Sequence, residues 1–190
     1  ELPDERIAKY PLDQRDKSKL LIYNKGIISQ EQFSSIPSFI PEGSMMVFNN
    51  TKVVPARLFF KKDTGALIEI FCLEPVTPSD YSVSFACISE CSWKTIIGNV
   101  KKWKGGYLSF FVPEGADSDV VGLNLKAELI EKQDNSYIVR FFWEGGHPFS
   151  KVLELCGQVP IPPYLNRETE AVDLERYQTL YAKFRGSVAA

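Results

Sequence analysis

The sequence predicts an α/β (mixed) domain interrupted by an inserted antiparallel β-barrel of about six strands. Between residues 57 and 144, short apolar segments recur with turn residues between them. Before and after that stretch, proline-punctuated segments of mixed periodicity return, so one module sits inside another. The boundaries read as 1–56 and 149–190 for the discontinuous α/β domain and 57–148 for the barrel. The chain stops at Gly186-Ser187-Val188-Ala189-Ala190 without a signal that closes a fold, so the flanking domain is expected to be incomplete at its C-terminus.

Each element has a local reason. Ile7, Ala8 and Tyr10 supply the apolar face of a short opening helix that Pro11 ends. Lys19-Leu20-Leu21-Ile22-Tyr23 reads as a strand, and Asn24-Lys25-Gly26 turns the chain. Met45-Met46-Val47-Phe48 is an apolar run of strand length, expected to be buried on both faces. Strands are predicted at 57–62, 66–74, 81–89, 106–112, 121–132 and 136–144, with hairpin turns at Asp63-Thr64-Gly65 and Asp134-Asn135-Ser136. A barrel is favoured over a sandwich because closure removes exposed strand edges. After His147-Pro148, a short helix runs to Gly157, and Val159-Pro160-Ile161-Pro162-Pro163-Tyr164 is a rigid extended connector. A final helix is predicted near 171–184, with Leu174, Tyr177 and Tyr181 on one face.

Composition narrows the class. The 190 residues are 44% hydrophobic and 24% charged, which excludes a disordered chain or a small disulfide scaffold. No apolar run approaches the roughly 18–20 residues of a membrane span, and the first residues are not a leader peptide. With 22 Lys+Arg against 24 Asp+Glu, the balance does not announce a nucleic-acid binder, although it permits a local patch. Cys72, Cys87, Cys91 and Cys156 form no CxxC pair and only His147 could join them, so no metal is expected. Apolar neighbours such as Phe71 and Phe85 point to buried, reduced thiols in an intracellular protein.

Three clusters could carry chemistry. Asn49, Asn50 and Thr51, with Lys52 and Arg57, lie where the first module meets the second; amides and a hydroxyl there can orient a hydroxylated ligand. The plainer alternative is a turn, with Arg57 pairing a carboxylate. Tyr164, on the proline-stiffened connector, can stack on a base, and Glu175, Arg176, Tyr177 and Gln178 follow on the last helix; the alternative is a hydrophobic anchor and a solvated face. Between Glu90 and Glu114 there is no acidic residue, while Trp93, Lys94, Lys101, Lys102, Trp103, Lys104 and Tyr107 alternate charge with rings. Such a surface suits RNA, and an ordinary soluble hairpin is the alternative. No phosphate loop, dinucleotide fingerprint or nucleophile elbow is present.

Three stretches resemble one family. They are Leu2-Pro3-Asp4-Glu5-Arg6-Ile7-Ala8 with Tyr10-Pro11; Val47-Phe48-Asn49-Asn50-Thr51-Lys52-Val53-Val54-Pro55-Ala56-Arg57-Leu58; and Pro160-Ile161-Pro162-Pro163-Tyr164 through Glu175-Arg176-Tyr177-Gln178 to Gly186-Ser187-Val188-Ala189-Ala190. In order and spacing the chain is similar to the S-adenosylmethionine:tRNA ribosyltransferase-isomerases of queuosine biosynthesis. The resemblance implies an N-terminal portion of a longer, cytoplasmic and monomeric enzyme, inactive as this portion alone. It also implies S-adenosylmethionine as ribosyl donor, no metal, and as partner a tRNA carrying a modified deazaguanine in its anticodon, with no membrane contact.

Carried onto this sequence, the resemblance makes Glu175, Tyr164 and Tyr177 the catalytic candidates. Asn49, Asn50, Thr51, Lys52, Arg57, Arg176, Gln178 and Ser187 become substrate-binding candidates. Lys94, Lys101, Lys102, Trp103 and Lys104 are the RNA-binding candidates. Lys19 and Lys52 stand where the family usually has Arg, Gln158 where His is common, and Phe184-Arg185 where a proline is typical. These departures leave open a family-derived RNA-binding module without catalysis, or one with an altered substrate. The enzyme reading expects the Asn-Asn-Thr corner and Tyr164 to share one seam.

Overall fold

A computed structural model describes residues 3–187, so Val188, Ala189 and Ala190 of the last motif lie outside the described residues. The chain forms two units, one of Glu1–Asn49 with Pro162–Glu168, the other of Asn50–Ile161 with Thr169–Ala190.

In the first unit, β1 (Lys19–Asn24) and β2 (Ile27–Gln32) form an antiparallel hairpin with Asn24 opposite Ile27. Lys25 and Gly26 both take positive φ, 46° and 91°, which matches the twist of a two-residue hairpin turn. The predicted opening helix is a single 3-10 turn at Asp4–Arg6. It is shorter because Pro3 initiates it and Ile7 is already extended. Arg167 ties the connector to this N-terminal segment: its Nε donates to the Lys9 carbonyl at 2.9 Å and its guanidinium lies 4.5 Å from the Tyr10 ring centre. Met45-Met46-Val47-Phe48 is not a strand. Among the described residues no ladder reaches it, and Met45 is 90% exposed.

The second unit holds the barrel. Its strands are β4 (Arg57–Lys61), β5 (Leu67–Thr77), β6 (Glu90–Gly98), β7 (Tyr107–Phe110), β8 (Lys126–Lys132) and β9 (Tyr137–Phe142), closed in the order β4-β5-β6-β9-β8-β7. The predicted barrel architecture is therefore observed, with one strand misplaced. Residues 81–86 are helical, not extended: α1 (Tyr81–Ala86) is capped by Asp80, whose Oδ1 accepts from the Val83 N–H at 3.0 Å. The sixth strand instead occupies Glu90–Gly98, where Cys91, Trp93, Thr95 and Ile97 alternate inward. Likewise α2 (Ser118–Gly122) takes the first part of the expected 121–132 strand.

The barrel is filled by Leu58, Phe60, Ile68, Ile70, Cys72, Trp93 and Phe141, all fully buried. α3 (Phe149–Cys156) plugs one end, its Phe149 ring 5.6 Å from both Trp93 and Phe141 and 5.3 Å from Trp143. His147 serves the same corner, its carbonyl accepting the Trp143 indole N–H at 2.8 Å. Gly157 ends α3 with φ −89°, so it is not a left-handed cap. Its role is close approach: a Cβ there would stand 1.8 Å from the Pro55 carbonyl oxygen and 2.7 Å from that of Leu153. Beside it, Arg57 and Gln158 exchange both backbone hydrogen bonds, at 3.2 and 2.8 Å.

The predicted last helix is reduced to one turn, α4 (Asp173–Arg176), after which the chain extends into β10 (Phe184–Ser187). β10 pairs in parallel with β3 (Thr51–Val53), and the Lys183 N–H donates to the Asn50 carbonyl at 2.8 Å. Those strand bonds compete with helix continuation and win. No described helix is long and apolar enough to cross a membrane.

Burial raises the Cys72 and Cys91 thiols well above the ordinary range and pushes Cys156 up to about 12. For Cys91 the effect is offset in part by the Trp93 indole and the Ser84 hydroxyl. Two outcomes follow. Gly157→Ala, tested by urea unfolding, is expected to cost more than about 3 kcal/mol, because the added methyl meets backbone that cannot yield. The thiol contribution should leave stability level between about pH 7 and 8, then lower it as unfolded thiols (pKa about 8.5) ionise while the buried ones stay protonated. Urea midpoints measured from pH 7 to 10 check this; a midpoint that rises over that interval contradicts it.

Candidate functional site

Two segments that leave the barrel at the same end build one cavity. The chain enters β4 through Lys52, Val53, Val54 and Pro55, and it returns from β9 through α3 and, later, α4. Together Lys52–Pro55, Ser150, Glu154, Leu174, Glu175 and Gln178 line a cavity of about 330 Å³. Its floor is aliphatic and its rim carries one cation, two carboxylates, a hydroxyl and an amide. Glu154 also faces Lys151, with Nζ 3.9 Å from its carboxylate.

Gln178 locks the walls together. Its Oε1 accepts from the Val53 N–H at 2.8 Å, and its Nε2 donates to the Val53 carbonyl at 2.9 Å. A side-chain amide thus pairs a buried strand residue as a neighbouring strand would, across 125 residues of sequence. Beside it, Arg185 stands opposite Lys52 in the β3–β10 ladder and Ser187 opposite Val53.

The other candidate residues are distributed over both units. Asn49 and Tyr164 belong to the first unit, where the Tyr164 ring is 60% exposed. Asn50 contributes its carbonyl to Lys183, and Thr51 begins β3. Arg176 and Tyr177 are half-buried at the end of α4. Arg57 is held on the barrel wall by an ion pair with Glu69, its guanidinium 5.1 Å from the Phe59 ring centre. Gln158 enters the structure through its backbone exchange with Arg57, which any side chain allows.

Two of the expected RNA contacts need correction. Trp103 is only 3% exposed and its indole N–H donates to the Gly106 carbonyl at 3.1 Å, so no ring face is open to a base. Lys94 lies within β6 and pairs Glu74 at 2.9 Å, so its charge is already met. Ser150 and Glu154 were missed as pocket residues. Their i, i+4 spacing on the polar face of α3 is a legible signal, but only the packing of Phe149, Val152 and Leu153 shows where that face looks.

A barrel-interrupted fold with a mixed polar and apolar cavity at the barrel mouth is the class of protein that this geometry defines. Within that class the chain belongs to the queuosine biosynthesis protein family, whose profile matches residues 1–190. It is 39% identical over 191 residues to the S-adenosylmethionine:tRNA ribosyltransferase-isomerase of Trichlorobacter lovleyi, covering 100% of this chain and 49% of that protein. It is 35% identical over 193 residues to the proteins of the same name from Natranaerobius thermophilus and Aquifex aeolicus, covering 100% of this chain and 50% of each. The chain spans about half the length of these curated relatives.

Gln178→Ala should destabilise the second unit by about 1–3 kcal/mol for each Val53 backbone group left unpaired. Gln178→Glu keeps the acceptor but sets a carboxylate against the Val53 carbonyl, and should also be destabilising. Urea unfolding reads both, and faster amide exchange at Val53 should accompany them.

Proposed function

We propose that the full-length protein transfers the ribosyl part of S-adenosylmethionine to the aminomethyl group of a modified deazaguanine in tRNA. A bond forms to the aminomethyl nitrogen, adenine and methionine leave, and an epoxycyclopentanediol closes. The observation that carries this reading is the meeting, in one cavity, of Lys52 with Glu175 and Gln178. These residues come from two of the stretches that resemble the family. The cavity, about 330 Å³, lies at the low end of the roughly 300–1,000 Å³ typical of ligand sites, which favours one nucleoside-sized reactant.

The chemistry sets definite demands. The attacking amine must be neutral and must lose a proton, and Glu175 is the proposed base. The sulfonium of the donor carries positive charge, and the carboxylates of Glu154 and Glu175 favour it. Adenine leaves more easily with a proton or hydrogen bonds at its ring nitrogens, a part proposed for Tyr177 or Tyr164, whose ring can also stack on a base. Asn49, Asn50 and Thr51 are proposed to hold ribose hydroxyls, with Lys52, Arg57, Arg176 and Ser187 as further substrate contacts. Gln178 acts in this scheme by positioning Val53.

The test is adenine release by the full-length protein supplied with S-adenosylmethionine and precursor-bearing tRNA. Release well above background is expected, and Glu175→Gln should lower it by about 10²–10⁴-fold with the fold intact, the usual share of a general base. No release above background overturns the proposal.

A further inference from the structure

The barrel is a charge dipole. β4 and β8 end, and β7 begins, at one end, since Lys61 lies opposite both Leu67 and Ser109, and Lys132 opposite Tyr137. The connections 62–66, 99–106 and 133–136 therefore share that end. With the strand-end residues they carry Lys61, Lys62, Lys101, Lys102, Lys104 and Lys132 against only Asp63 and Asp134. Among the described residues none of these six lysines has a carboxylate within ion-pair distance. The opposite end, counted in the same way at 78–90, 111–125 and 143–148 with its strand-end residues, holds Asp80, Glu90, Glu114, Asp117, Asp119 and Glu144 against Arg57 and Lys126, and Arg57 is paired with Glu69. The five to seven residues of β4 and β8 rise about 17–23 Å. That is some two Debye lengths at physiological salt, roughly 8 Å each, so the two fields do not cancel.

We infer that the lysine-bearing end is a docking surface for the phosphate backbone of RNA. This rests on the proposed reading of tRNA as substrate and extends it to a surface away from the cavity. The lysine loop is presented rigidly: Trp103 is sunk beneath it and bonded to Gly106, so Lys101, Lys102 and Lys104 stand exposed around a fixed anchor. Lys62 Nζ reaches the Lys102 carbonyl at 3.4 Å and joins the neighbouring turn to it. The basic groups are lysines, point charges that attract phosphate without reading sequence. Only Leu67 and Tyr107, at the strand ends, expose large apolar side chains beside these three connections, too few for insertion into a lipid surface. The acidic end repels the same polyanion, so binding has one polarity along the barrel axis.

The experiment measures unmodified tRNA binding by the full-length protein at 50 and 200 mM salt, unaltered and as K62E/K101E/K102E. The charge-reversed protein should bind at least tenfold more weakly at 50 mM, with the slope of log K on log salt reduced by about 2–3, near 0.9 for each lost phosphate contact. K101Q/K102Q, a milder change that guards against misfolding, should move both readouts the same way by less. Equal affinity and slope in all three proteins overturns the inference, as does absence of tRNA binding by the unaltered protein. Binding of phosphatidylserine vesicles with the same lysine dependence, but not of tRNA, also overturns it. Calorimetry of the full-length protein with S-adenosylmethionine separates the two readings. Donor binding with lysine-independent tRNA binding defeats only the docking surface, whereas lysine-dependent tRNA binding without donor binding defeats only the catalytic proposal.

Discussion

Where the chain enters the barrel and where it leaves, two backbones lie in contact with no side chain between them. Gly157 rests on the Pro55 carbonyl at a separation no Cβ could share, and one residue further on Arg57 and Gln158 exchange both of their backbone hydrogen bonds. Each bond contributes roughly 1 kcal/mol in net stability, but the steric exclusion sets the geometry. With the two backbones pinned, Lys52–Pro55 and α3 must diverge from a common point. The cavity is the space between them. The amide of Gln178 then ties the α4 side of the cavity to Val53 with strand-like bonds, and β10 pairs with β3.

The aromatic interior gives that crossing a fixed frame. Phe149 sits between Trp93, Phe141 and Trp143 at the barrel end, and it is also the first residue of α3. A helix whose first side chain is buried among three rings cannot rotate about its axis, so Ser150 and Glu154 are held toward the cavity. The same interior keeps Cys72 and Cys91 desolvated and protonated, as packing residues and not nucleophiles. Ion pairs on the outer wall, such as Arg57 with Glu69 and Arg140 with Glu128, are partly exposed, so solvent screens them and they add little to stability.

Charge is distributed along the barrel so that its two ends differ in kind. The cavity lies at the end rich in carboxylates, and the lysines lie at the other. The near-neutral total conceals this arrangement, because 22 basic and 24 acidic residues say nothing of where each stands.

Much of this was legible in advance. Strand-length apolar runs separated by Asp63-Thr64-Gly65 and Asp134-Asn135-Ser136 marked the barrel, because side-chain alternation and turn chemistry are local. Errors arose where local signals conflicted. Residues 81–89 have strand-like composition, yet Asp80 caps a helix there, and the Trp93–Lys94 alternation that looked like an RNA surface is the inward and outward rhythm of β6. Leu174, Tyr177 and Tyr181 have helical spacing, but bonds from Gln178 and Lys183 to Val53 and Asn50 draw the chain out after one turn. By itself, then, the sequence determined the barrel, its turns, the burial of Cys72, Cys91 and Cys156 though not of the half-buried Cys87, and the family. Tertiary structure alone decided which residues share the cavity, that Trp103 is a hidden anchor, and that the lysines gather at one end. Those facts depend on strand register and on contacts between residues far apart along the chain, which no window of neighbouring residues contains.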